Sequence, residues 1–457
     1  MNAAGDGHLR VRGAARGVLI AVLAILAIAF GALLWLRGPG PMDFAGGPKV
    51  ALTEYQGGDP TGVPAVLKDA TLVRRGEYLA RAADCMVCHT ASGGKEYAGG
   101  FAFNLSFGTL YSTNITPDKE TGIGNYSDAQ FLTALRSGVR SDGARLYPAM
   151  PFTSYTHMSD ADALAIKAYL FSLAPVHAPA RNDTLSFPFS QRWLLGIWSG
   201  LFNPDKRFQA NTAQTLEWNR GAYISEALAH CGECHTPRNI AFALNNRKKF
   251  GGAVTAGWRA YNITSDAGTG IGAWHDDIFA YLSQGHATGH GTAAGPMGEA
   301  VDESFSQMAA EDVRAVVTYL RSIPALASSD LPANLAPPAD SSHKVGPMTA
   351  NARGKEVFEG ACVSCHAWSG VSAMSPFATL TGARAVNDPT ATNVAQIVIS
   401  GTQRTTPQDA VSMPAFGSTY SDAEIAAVAN YVTERFGTKG SSIGEPDVAN
   451  LRKLVAQ

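Results

Sequence analysis

The chain has 457 residues, with 36 Lys and Arg against 38 Asp and Glu, a net charge of −2. That balance excludes the basic surface a nucleic-acid partner requires, and the length exceeds one compact domain. Charged residues make up only 16%, well below the quarter usual in soluble domains, as in a chain that wraps large apolar groups or docks on partners.

The N-terminus opens with a basic arm (Arg10, Arg12, Arg16) and a charge-free run from Val18 to Leu36, closed by Arg37. As a helix this run spans the hydrocarbon core of a bilayer. A cleaved signal peptide is the alternative. Its apolar stretch is normally about 7–15 residues and ends at a small-residue site, whereas here Ala27-Ile28-Ala29 lies inside the run. The expectation is an uncleaved anchor over residues 1–37 with the arm cytoplasmic. Everything after Arg37 would then lie in the periplasm. A Gly- and Pro-rich tether over 38–71 follows.

Next comes Cys85-Met86-Val87-Cys88-His89, and the pattern returns as Cys231-Gly232-Glu233-Cys234-His235 and Cys362-Val363-Ser364-Cys365-His366. The three copies use all six cysteines. C-x-x-C-H is the attachment signal for c-type haem. Two intervening residues let one helical turn offer both thiols to the porphyrin vinyl groups, and the adjacent His is carried under the iron. Zinc would need four ligands per site, which three Cys pairs cannot share evenly. A redox C-x-x-C belongs near a βαβ pattern, which is missing here. Local disulfides would leave the following His unexplained three times. The reading is three haem c groups, held by Cys85, Cys88, Cys231, Cys234, Cys362 and Cys365, with His89, His235 and His366 on the irons.

Each motif follows a short helical pattern opened by Arg-Gly: Arg75-Gly76, Arg220-Gly221 and Arg353-Gly354. Each repeat closes with an amphipathic helix. Val313, Val316, Val317, Leu320 and Ile323 share one face, as do Ile425, Val428 and Val432. Ser159 with Asp162 and Ser421 with Glu424 read as capping boxes, and Tyr169, Tyr319 and Tyr431 fall at equivalent points. These units occupy 72–180, 216–325 and 351–457. Between the first two runs an aromatic segment, 181–215, read either as an interdomain strut or as a surface meeting membrane or partner. A Pro-, Ala- and Ser-rich linker, 326–350, joins the last two.

A low-spin haem needs a sixth ligand. Repeat one offers Met150 and Met158, repeat two Met297 and Met308, repeat three Met413 and Met374. Met150 and Met413 share a Met-Pro loop, and Met150 and Met297 stand at matching distances after their motifs. The assignment is therefore Met150, Met297 and Met413. His157, His230, His275, His286 and His290 are read as surface or supporting residues. The duplicated stretches Thr113-Asn114-Ile115-Thr116 and Tyr261-Asn262-Ile263-Thr264 could bond haem propionates or form ordinary Asx turns.

A first helix carrying the motif and a last helix crossing it resembles the cytochrome c fold. The fold class expected is mainly α: three tandem cytochrome c-like domains after one N-terminal transmembrane helix. With Tyr97-Ala98-Gly99-Gly100, Tyr147–Phe152 and Trp193–Trp198, the whole resembles the triheme cytochrome c subunits of bacterial membrane-bound dehydrogenases acting on alcohol, aldehyde, gluconate or fructose. That resemblance implies an electron-transfer subunit, not itself an enzyme. It would take electrons from a catalytic subunit (molybdenum-hydroxylase type or quinoprotein, with a small iron-sulfur subunit in some complexes) and pass them to ubiquinone. His235–Asn239 and Gly289–Met297 look closer to cytochromes of aldehyde dehydrogenases. A stand-alone multihaem enzyme would instead need one iron with an open sixth position.

Overall fold

The computed structural model describes residues 5–329, 351–405 and 410–454, with side chains from Val18 onward. Most of the 326–350 linker and the side chains of the basic arm lie outside the described residues. One helix runs Gly5–Arg37, and its part Val18–Arg37 is long and apolar enough to cross a membrane, with none of it buried.

Three helix pairs follow. The opening helices are Leu72–Ala82, Leu216–Tyr223 and Ala352–Ala361. The closing helices are Asp160–Ser172, Ala310–Arg321 and Asp422–Phe436. Each pair crosses at the glycine of Arg-Gly, which lies inside its helix and does not open it. A Cβ on Gly76 would stand 1.8 Å from the Ala165 carbonyl, on Gly221 1.9 Å from that of Ala315, and on Gly354 2.2 Å from that of Ala427. Only glycine lets these backbones touch. Tyr169, Tyr319 and Tyr431 lie over the three crossings.

The preceding arginines do matching work. Arg75 pairs with Asp162 (2.5 Å), Arg220 with Asp312 (2.6 Å) and Arg353 with Glu424. Each acid is the third residue of its closing helix, where the helix dipole also favours negative charge. At Ser421 the full capping box forms. At Ser159 only half does: the hydroxyl accepts the Asp162 amide, but the Asp162 carboxylate is engaged by Arg75 and Tyr223.

The three units are packed as two cores. One contiguous buried cluster runs from Leu79 and Ile166 in repeat one through Tyr223 and Phe250 to Ile323 in repeat two. Repeat three has its own, around Phe358, Ile399, Ile425 and Phe436. Two tyrosines stitch the first pair together by exchange. Tyr78 donates to Asp312 (2.6 Å), and Tyr223 donates to Asp162 (2.7 Å). Each reaches the acid that the other repeat's arginine already holds. At the same register repeat three carries Glu356, which pairs with Arg353 (2.8 Å).

Segment 38–71, expected as a tether, is a packed strap. Lys49–Ala51 pairs antiparallel with Gln209–Asn211, and Phe44 tilts against Trp218 and Tyr319. Its Gly and Pro residues supply the turns of that strap. Repeat three docks on repeat two mainly through polar contacts. Arg404, fully buried, pairs with Asp302 (2.7 Å) and donates to the Ala293 carbonyl (3.1 Å). Arg259 meets Asp388 (3.4 Å), and its backbone exchanges two hydrogen bonds with the Asn393 side chain.

Candidate haem-attachment sites

Each C-x-x-C-H motif forms a single helical turn: Cys85–Cys88, Gly232–His235 and Val363–His366. The three histidines share one arrangement. His89 Nδ1 lies 2.7 Å from the Thr113 carbonyl, His235 Nδ1 2.6 Å from that of Tyr261, and His366 Nδ1 2.6 Å from that of Ala378. A carbonyl only accepts, so Nδ1 carries the proton and Nε2 keeps its lone pair. Burial lowers the pKa of all three rings, against the smaller opposing effect of those carbonyls, and holds the imidazoles neutral. That tautomer, fixed by a backbone carbonyl, is what an axial metal ligand needs.

The residues therefore fit a covalently attached haem. Burial pushes the Cys85 and Cys231 thiols up to about 12 and Cys234 and Cys362 to about 11. Among the described residues no three His, Cys, Asp or Glu side chains converge as a metal cluster would require.

The methionines sort by burial. Met158 is fully buried and Met308 nearly so, inside the first core, while Met374 is exposed. Met150 and Met297 lie half-buried at the edge of the first core, and Met413 at the edge of the second. Their settings differ more than the shared Met-Pro reading suggested. Met150 stands in a turn before the short helix Phe152–Tyr155, Met297 in the first turn of the helix Gly295–Glu303, and Met413 at the end of the strand Ala410–Met413.

Of the histidines read as surface or supporting residues, several are enclosed. His157 is buried, His290 stacks on Trp274 with ring centres 3.9 Å apart, and His230 meets Tyr155 at 5.5 Å. His275 alone of the five is exposed. The duplicated Asn-Ile-Thr stretches are turns. Asn114 Oδ1 accepts from the Thr116 amide (2.9 Å) while its Nδ2 donates to the Val176 carbonyl (2.7 Å), and Asn262 does the same with Thr264 and Leu326. These side chains tie the loop to the chain after each closing helix, as Asx turns do. The functional atom of each stretch is the carbonyl of its first residue, Thr113 or Tyr261.

Repeats one and two also exchange contacts at their motifs. The Met297 helix packs on the turn Cys85–Cys88, and Phe152–Tyr155, just after Met150, packs on Ile224–Leu228 before Cys231. Ser154 and Thr153 donate to Glu233 (2.9 and 3.2 Å) inside the second motif, and Tyr155 donates to the Ala83 carbonyl (2.6 Å) before the first. The Tyr155–Ala83 bond closes within repeat one, but the Glu233 contacts and the two helix packings join different repeats, which sequence spacing could not reveal. His235–Asn239 and Gly289–Met297 are engaged within the chain too: Asn239 holds the Leu36 carbonyl (2.9 Å), and Thr292 donates to that of Phe377 (3.0 Å).

Residues 73–174 match the family model for cytochrome c, and residues 349–432 that for cytochrome c oxidase, cbb3-type, subunit III. The chain is 40% identical over 401 residues to the fructose dehydrogenase cytochrome subunit of Gluconobacter japonicus, covering 83% of this chain and 82% of that protein. It is 38% identical over 400 residues to the gluconate 2-dehydrogenase cytochrome c subunit of Pantoea cypripedii, covering 84% of this chain and 90% of that protein. To the alcohol dehydrogenase (quinone), cytochrome c subunit, of Gluconobacter oxydans it is 36% identical over 401 residues, covering 84% and 83%.

Proposed function

The chain belongs to the cytochrome c subunits of bacterial membrane-bound dehydrogenases, and from that premise we propose that it holds three haem c groups and relays electrons from a catalytic dehydrogenase subunit to ubiquinone. Its role in such a complex is electron transfer, not substrate oxidation. One observation carries the count of three: the same Cys-Cys-His turn, with the His Nδ1 held by a backbone carbonyl, is built in every repeat. Bound there, haem c supplies a one-electron iron couple whose potential a Met ligand raises.

The chain's own residues supply the rest. Thr113, Tyr261 and Ala378 orient the imidazoles, and Met150, Met297 and Met413 would supply each iron with its second protein ligand. Their half-buried positions support that choice over the core residues Met158 and Met308. The N-terminal helix is kept as the anchor, leaving the repeats in the periplasm. Ubiquinone as acceptor draws support from the relative named for quinone-dependent alcohol oxidation. An aldehyde-oxidising, molybdenum-hydroxylase-type partner stays the working choice, with a quinoprotein as the alternative. The substrate is set by that other chain.

The test is direct. Pyridine haemochrome should give three covalent haems per chain, and a count of two would remove one motif from the assignment. Replacing Met150, Met297 or Met413 by Ala, one at a time, should each open one haem to carbon monoxide. Wild-type protein should bind none; if it does, the closed relay gives way to an enzyme with an open iron. Mixed with its catalytic partner, the chain should couple substrate oxidation to reduction of a quinone analogue. Turnover of alcohol or aldehyde by the isolated chain would overturn the reading.

A further inference from the structure

The end of the N-terminal helix is fastened to one loop of repeat two. Asn239 Nδ2 donates to the Leu36 carbonyl (2.9 Å), Arg247 to that of Trp35 (3.1 Å) and Asn246 Nδ2 to that of Pro39 (3.1 Å). The Arg247 guanidinium also lies over the Trp35 ring, 5.8 Å from its centre. Trp35, exposed at the foot of an apolar helix, is the kind of residue that settles at a bilayer interface. Whatever surrounds this loop is therefore held at the level where the helix leaves the membrane.

What surrounds it is apolar. Ile240 and Phe242 lie on the loop itself. The Trp198 indole donates to the Ala241 carbonyl (2.6 Å), which brings in the helix Leu194–Phe202. At and just before the start of that helix, Trp193 and Ile197 are four residues apart and so share a face. Phe242 meets Phe189 at 5.9 Å, and Phe189 stacks on Phe107 at 4.0 Å, with Phe187 two residues away. Phe187, Trp193, Ile197, Ile240 and Phe242 are 52–87% exposed, so water is excluded from none of them by the chain. Basic residues flank the patch: Arg37, Arg247 and Lys248 are exposed, and no acidic residue occurs between Thr236 and Lys248. An aromatic and aliphatic face rimmed by positive charge suits the headgroup boundary of an anionic leaflet.

We infer that Phe187, Trp193, Ile197, Ile240 and Phe242 form a seat that dips into the interface of the same bilayer the N-terminal helix crosses. The protein then rests on the membrane at two places and cannot swing freely about the end of its anchor. The loop carrying Met150 lies directly behind this seat, because Tyr147 donates to the Phe189 carbonyl (2.7 Å) and Phe152 meets Trp198 at 6.1 Å. The inference rests on the helix being kept as an anchor, and the experiment separates the two.

Full-length protein carrying Ile240→Cys, Ile197→Cys or, as a control on repeat three, Glu356→Cys is spin-labelled and placed in phosphatidylcholine–phosphatidylglycerol vesicles. Its haem content and intact mass are checked first. Labels at 240 and 197 should collide more with dissolved oxygen than with a water-soluble nickel chelate, and the label at 356 the reverse. If 240 and 197 are as open to the chelate as 356 while the mass retains residues 1–37, the seat is refuted and the anchor stands. If they are shielded from both probes only when the catalytic subunit is bound, the face belongs to that subunit and the inference fails. If the mass lacks the helix, the anchor reading falls alone, and oxygen-biased collisions at 240 and 197 would then establish the seat as the membrane attachment.

Discussion

Repeats one and two meet across a continuous apolar core, whereas repeat three meets repeat two across buried charge. In the first interface two tyrosines cross over, each satisfying a carboxylate that the other repeat neutralises. In the second, Arg404 is fully buried against Asp302 and the Ala293 carbonyl. The physical consequences differ. Apolar burial is roughly proportional to area and gives neither repeat a stable existence with that face bare. A buried ion pair gains little net energy over an apolar substitute but is costly to break from one side. The first pair should behave as one folding body and the third repeat as a docked module of defined orientation. Its motif is also the more open, with Cys365 exposed and Trp368, Val371 and Met374 exposed beside it.

The largest expected effect comes from the helix crossings. Gly221→Ala puts a methyl 1.9 Å from a backbone oxygen, which only separation of the helices relieves, at a cost of several kcal/mol. On the proposed count of three, covalent haem should fall toward one, because repeats one and two share a core. The same change at Gly354 should remove only the third. Loss of a single haem from Gly221→Ala, measured by pyridine haemochrome, would break the idea of a fused pair.

Next is the docking charge. Asp302→Ala leaves Arg404 buried without its carboxylate, a loss of about 3–5 kcal/mol. Brief proteolysis should then release a fragment bearing the third motif while the fused pair keeps its thermal transition. Unfolding of all three repeats together would mean that the charge supports the whole molecule.

The crossing tyrosines rank third. Tyr78→Phe or Tyr223→Phe removes a hydrogen bond to a buried carboxylate, worth about 1.5–3 kcal/mol. At the matching register of repeat three, Glu356→Ala removes only a solvent-exposed ion pair with Arg353, and stability should hardly change. Denaturant midpoints of the fused pair and of repeat three would separate these, and equal shifts would end the distinction.

This contrast was partly legible in the sequence. Arg-Gly stands before each of the three motifs, but the residue two places beyond Gly is Tyr in two repeats and Glu in the third. The register marks which repeats are joined, yet its meaning depends on a partner about 60 or 230 residues away that no periodicity points to. Motifs, closing helices and the Ser421 cap were readable because their partners lie within a few residues or repeat with a fixed spacing. The strap at 38–71 was misread as a tether because Gly and Pro mark turns whether or not the intervening residues pack. Ile240 and Phe242 carried no signal as isolated apolar residues in a polar loop; they gain meaning from Asn239 and Arg247, which hold the end of the N-terminal helix.

The smallest effect tests the fused interface through pH. His157 is buried there, and burial, then Lys249 and Arg207, push its pKa from 6.5 down to about 4. Lys249 belongs to repeat two, so the charge that opposes protonation comes across the interface. Below the unfolded value the denatured chain binds a proton that the native chain refuses. Stability contributed by the neutral ring is thus complete above about pH 6.5 and is lost as pH falls toward 4. At pH 5.5 the loss is about 1 kcal/mol, confined to the transition of repeats one and two. His157→Gln should flatten that part of the pH dependence and leave the transition of repeat three unmoved. A slope that survives the substitution would place the acid sensitivity elsewhere.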